Sequence, residues 1–158
     1  MPIARHQLDC CICLAPSENT DVQALHTLAQ DMREAQKAGL HVPTNSFSTL
    51  IVEQHPKPKL YANHQGGYRV FCHVCKENIA KDFSRAVEMW RGGSERSMEC
   101  PFCMQRFALE EVQARPELYF SCAAIVLRDV ERAELGSFWE QRITQLKLPV
   151  RIIFRRIG

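Results

Sequence analysis

The chain is expected to fold as an α+β protein, a small mixed sheet with helices, on three observations. Its last third reads strand, helix, strand, with an apolar run on either side of a segment of helical period. A capped amphipathic segment starts near Thr20. Two cysteine pairs of identical spacing frame a further helical stretch in the middle of the sequence. The length of 158 residues suits one domain, residues 1–158, able to bury roughly 70% of its unfolded surface. Within it the pattern sets off a lobe over 68–107 and a strand-helix-strand unit over 117–157.

The cysteine pairs carry the strongest chemical signal. They are Cys72-His-Val-Cys75 and Cys100-Pro-Phe-Cys103. Each supplies two soft thiolates on a tight turn, and each follows a short expected strand, Tyr68–Phe71 and the run ending at Met98 and Glu99. Four sulfurs so arranged suit a tetrahedral ion without redox chemistry, so the lobe reads as zinc-ribbon-like, with a structural Zn2+ on Cys72, Cys75, Cys100 and Cys103. Reduced core cysteines and a single redox pair are the alternatives, and neither accounts for two matched pairs. A disulfide framework belongs to short secreted chains. The opening Met-Pro-Ile-Ala-Arg-His has no apolar core of signal-peptide length, so a reducing, cytoplasmic setting is expected.

Taken in order, the chain opens on Cys10, Cys11 and Cys13, beside His6 and Asp9. Three readings stay open there: an incomplete second metal site, a replacement for one of the later pairs, or a turn packed beneath the next helix. The first helix starts at a capping box, Thr20 with Gln23, and sets Val22, Leu25, Leu28, Ala29 and Met32 on one face before Gly39. Residues 47–53 alternate weakly as a strand. His55-Pro-Lys-Pro-Lys59 must be a loop or a sheet edge, because proline has no N–H to give a ladder. The residues from Asn63 to Gly67 turn the chain.

Between the cysteine pairs, Ile79, Phe83, Val87 and Trp90 recur at helical spacing, and Gly92-Gly93 closes that helix. A further short helix is expected over 108–115, stopped by Pro116. The run from Leu118 to Leu127 reads as a strand buried on both faces, with Cys122 a core residue. Asp129 is placed to cap a helix whose apolar side holds Val130, Leu135, Phe138, Trp139 and Leu146. Beyond Pro149 a final strand, Val150–Ile157, would complete a right-handed parallel crossover.

Function classes narrow by what is absent and by where charge falls. No Ser elbow, P-loop or dinucleotide fingerprint occurs, and no His-x-Glu precedes the Cys100 pair as a zinc deaminase requires. A four-thiolate ion has no open position for water, so the chain reads as non-enzymatic. No apolar run reaches the ~20 residues of a membrane span. The net charge is only +2, but residues 54–76 and 141–158 contain no Asp or Glu. Arg69, Lys76, Arg91, Arg96 and Arg106 lie on or beside the cysteine module, and Arg151, Arg155 and Arg156 on the last strand. These eight are the candidate contacts to DNA or RNA phosphates, with Tyr61, Tyr68, Phe102 and Phe107 able to stack on bases or, for the two phenylalanines, to fill the core. The competing role is a protein–protein adaptor whose zinc lobe docks a partner subunit.

Two zinc knuckles separated by a helical insert, in a small basic chain with an Arg-rich last strand, resemble the zinc-finger large subunit of type IV CRISPR effector complexes. The resemblance rests on Cys72, Cys75, Cys100 and Cys103 and on size and charge. It implies a non-catalytic subunit of a guide-RNA complex that helps to recognise the duplex flanking the target. It leaves Cys10 and Cys13 without a role.

Overall fold

A computed structural model describes residues 8–15, 20–38, 47–63 and 67–157. His6, Gly39, His64 and the side chain of Thr20, invoked above, lie outside the described residues. The fold is α+β. It divides into two compact units: the first is formed by 1–66 with 119–158, the second by 67–118.

The first unit is a four-stranded sheet in the order β2-β7-β1-β8, with β1 at Leu8–Leu14, β2 at Thr49–Tyr61, β7 at Tyr119–Arg128 and β8 at Val150–Arg156. Every ladder in it is antiparallel. Strands β7 and β8 therefore run parallel to each other, as a crossover would have them, but β1 lies between them. The N-terminal strand takes that place because Leu-Asp-Cys-Cys-Ile-Cys-Leu is apolar on both faces, as a central strand must be.

Two helices cover one face of the sheet. Helix α1, Thr20–Lys37, buries Leu25, Leu28, Ala29 and Met32 at the spacing read from the sequence. They meet Cys10, Ile12, Ile125 and Leu127 of the sheet in one core. Each such leucine or isoleucine contributes about 1.5–3 kcal/mol by leaving water. Helix α3 is shorter than expected, Ser137–Gln145. Asp129 does not cap it: its φ is 55°, and its carboxylate accepts a hydrogen bond from the Ser48 hydroxyl at 2.8 Å. Gly136, at φ 96°, a conformation that glycine adopts without strain, delivers the chain into α3 instead. Val130 and Leu135 are core residues carried on the loop, Trp139 is buried on the helix, and Phe138 is exposed. Arg142 ties α3 to α1 through Asp31, at 2.9 Å.

The other face is covered by the sheet itself. Strand β2 slips register against β7 between Gln54 and Lys59, where Pro56 and Pro58 fall, so the proline stretch is an irregular sheet edge. Beyond the slip, Tyr61 and Tyr119 pack onto Cys11, Cys13, Val126 and Ile153, and the Asn63 side chain accepts the N–H of Arg156 on the opposite edge strand. At the same slip Cys122 is exposed, which corrects its expected core position.

The second unit is inserted between the paired ends of β2 and β7, where Tyr61 faces Tyr119. Strand β3, Arg69–Phe71, pairs with β6, Gln113–Arg115. Helix α2, Ala80–Arg91, ends at Gly92, and β4, Ser97–Glu99, pairs with β5, Arg106–Ala108. Val70, Ile79, Phe83, Val87, Met98, Phe107 and Leu109 form its buried apolar side chains. The helix expected over 108–115 is absent. Residues Leu109–Glu111 make a single 3-10 turn and the rest extends as β6. Pro116 disfavours helical geometry at Arg115, and β3 offers β6 a strand to pair with.

Candidate metal centre

The two knuckles are the same turn built twice. In the first, Cys72 N–H donates to the Glu77 carbonyl and Lys76 N–H donates back to the Cys72 carbonyl, both at 3.0 Å. In the second, Cys100 N–H donates to Gln105 and Met104 N–H to Cys100, both at 2.9 Å. Each turn closes through a left-handed residue, Lys76 at φ 64° and Met104 at φ 65°. Each aims its sulfurs inward, the first cysteine buried and the second half-buried. Strands β3 and β4 lead into the knuckles as the sequence suggested.

The four Sγ atoms lie within 4.8 Å of one another. Across the knuckles, Cys72 and Cys103 stand 3.8 Å apart and Cys75 and Cys100 3.6 Å. A tetrahedral ion with Zn–S bonds of ~2.3 Å requires S–S edges of about 3.8 Å. The donor set thus fits one thiolate-bound metal ion. Burial disfavours the Cys72 thiolate, but the N–H groups of Cys75 and Val74 outweigh it and bring the thiol down to about 7. Cys75 goes the other way, to about 12: the Glu77 amide favours its thiolate, and burial with the neighbouring sulfurs opposes it more strongly. A cation on the four sulfurs must displace the protons they hold, so its affinity rises with pH.

The third pair is not part of this centre. Cys10, Cys11 and Cys13 lie on β1, fully buried, rather than on a turn. Cys10 packs in the core beneath α1 and α3, while Cys11 and Cys13 pack on the opposite face beside Tyr61. Burial holds all three as thiols; it pushes Cys11 up to about 12 and Cys10 and Cys13 at least as far. They are core side chains, which corrects the metal readings offered for them.

The candidate nucleic-acid residues divide by their partners. Arg91 pairs with Glu88 at 3.2 Å, Arg96 with Glu110 at 3.1 Å and Arg106 with Glu95 at 3.5 Å. Arg155 is half-buried and pairs with the buried Asp9 at 3.3 Å, over the Tyr61 ring. Burial raises the pKa of Asp9 against the pull of Arg155. Tyr61 is fully buried, its hydroxyl donating to Glu53 at 2.7 Å, so it is no stacking platform. Burial works against the Glu53 carboxylate, yet that bond and Lys59 lower its pKa. Phe107 is core, set edge-on to His73 with centroids 5.3 Å apart. Phe102 is exposed. Arg151 and Arg156 are exposed on β8.

Arg69 and Lys76 come together with a residue that sequence reasoning missed. Arg69 lies directly opposite Arg115 in the β3–β6 ladder, both exposed. Gln113 lies on the same face as Arg115, two residues away, and accepts a hydrogen bond from Lys76 Nζ at 3.2 Å. Neither strand carries an acidic residue. Arg115 was hidden by the helix expected there. The one available clue was Pro116 behind it, which favours extended geometry at position 115. No family model, curated protein or solved structure matches this chain.

Proposed function

We propose that the chain is a non-catalytic, zinc-stabilised nucleic-acid-binding module that works within a larger nucleoprotein complex. The observation that carries this reading is the β3–β6 ribbon face. The lobe 67–118 holds eight Lys/Arg and eight Asp/Glu, so its formal charge is 8 − 8 = 0. Arg91, Arg96 and Arg106 each face a glutamate, whereas Arg69, Arg115 and Lys76 share one acid-free face. Like charges directly opposite on a ladder cost stability, and phosphate offers the opposing charge. Zinc is the ion proposed for Cys72, Cys75, Cys100 and Cys103, in a structural role. With sulfur in all four positions, it has no place for a reacting water. The guide-RNA complexes suggested by resemblance are one assembly in which such a face would serve.

The test is a salt-titrated binding assay on single- and double-stranded DNA and RNA. Arg69→Ala with Arg115→Ala should weaken binding at every salt concentration and flatten the log–log slope by about 2 on duplex DNA. Arg91→Ala with Arg106→Ala should change it little. Unchanged binding in the first pair would favour the adaptor reading instead. That reading has its own support in Val74, Met89, Phe102 and Met104, all more than half exposed on this lobe.

A further inference from the structure

The two edges of the four-stranded sheet are treated differently. The outer edge of β2 is blunted by Pro56, Pro58 and the register slip. Strand β8 carries neither device. Ala15 N–H donates to the Pro149 carbonyl at 2.7 Å, which sets the ladder: odd-numbered residues of β8 face β1, and even-numbered ones turn their N–H and C=O outward. At one end, the outward N–H of Arg156 is taken by the Asn63 side chain at 2.6 Å. The outward groups of Ile152 and Phe154 pair with no strand among the described residues. Their side chains are half-buried against the helix-covered core, so a neighbouring strand would finish burying them. Arg151, on the other face, and Arg156 are exposed, and residues 141–158 contain no Asp or Glu.

We infer that β8 is a docking edge for an extended acidic segment of a partner protein, which adds to the sheet as a fifth strand. The fitting segment alternates: apolar side chains join Ile152 and Phe154 on the helix side, and carboxylates meet Arg151 on the other. A second copy of this chain fits poorly. Symmetric antiparallel pairing centred on Ile153 would set Arg151 opposite Arg155, like charge against like. Nucleic-acid phosphates would meet the arginines but offer only acceptors to a row of alternating donors and acceptors.

The experiment uses the full chain and three fluorescein-labelled peptides: one alternating glutamate and valine, one of the same composition in blocks, and one alternating lysine and valine. Fluorescence anisotropy should show the alternating acidic peptide binding at least about tenfold tighter than the other two. Ile152→Pro deletes an outward N–H and leaves the β1 ladder intact, and should cost about tenfold or more in affinity. Arg151→Glu with Arg156→Glu should turn the preference toward the lysine peptide, and it keeps the test valid if the proline variant fails to fold. Equal binding of the acidic peptides, binding indifferent to all these substitutions, or no binding would overturn the inference. So would a dimer in solution that these substitutions dissociate.

Discussion

Cys10-Cys-Ile-Cys13 and Cys72-His-Val-Cys75 share one spacing and have opposite fates. On β1 the side chains alternate, so positions three apart fall on opposite faces and no single ion can reach both. In the knuckle a left-handed residue at Lys76 folds the turn back, and positions three apart aim at one point. The spacing is therefore ambiguous until the local backbone is known. What separates the two in sequence is context: apolar neighbours on both sides of Cys10–Cys13, and polar, turn-forming neighbours at the knuckles.

The largest effect should come from breaking the knuckles. Cys100→Ser removes one of four ligands from a site type whose folding contribution runs to about 10–16 kcal/mol in zinc-finger peptides. Metal content should fall to zero, and amides of α2 should lose hydrogen-exchange protection while those of β1 keep theirs. By the same measurements, Cys13→Ala should retain the full metal complement and cost only about 1–2 kcal/mol of stability by urea titration.

Next in size is a pH effect confined to the first unit. The ordinary thiol value is 9.0, and burial pushes Cys11 up to about 12, with Cys10 and Cys13 raised as well. The folded form thus holds protons that the unfolded form releases. This stability is fully present below pH 9 and is lost as pH rises from 9 toward 12, at about 1.4 kcal/mol per pH unit per thiol. Urea midpoints should fall steeply between pH 9 and 10, and alanine at all three positions should remove that slope.

The smallest effect concerns the turns themselves. Met104 adopts φ 65° and is exposed, so Met104→Gly relieves a left-handed backbone at no cost in packing. A gain of up to about 1 kcal/mol in the stability of the second unit is expected, offset in part by glycine's freedom in the unfolded chain.

Much of this architecture was legible in the residues, and the failures share a cause. Helix α1 and helix α2 were readable because Leu25, Leu28 and Met32, and Ile79, Phe83 and Val87, repeat at a period that only a helix turns to one side. The proline stretch of β2 declared an edge because proline cannot serve an inner ladder. The misreadings came where tertiary pairing decided. Gln113–Arg115 extends to pair with β3, and Val130 and Leu135 pack from a loop although their spacing imitates a helix face. Charge runs misled in the same way. Lys59, Arg142 and Arg155 stand in acid-free sequence, yet fold against Glu53, Asp31 and Asp9. Arg115 had the reverse history, emerging opposite Arg69 only once the ladder was formed.

X-ray absorption spectroscopy of the purified full chain, combined with elemental analysis, bears most directly on the shared ion. One zinc per chain, surrounded by four sulfurs at ~2.3 Å and unchanged when Cys10 and Cys13 are both alanine, is the predicted result. A folded chain that binds no metal, or an ion whose sulfur shell shrinks in that double variant, would contradict it.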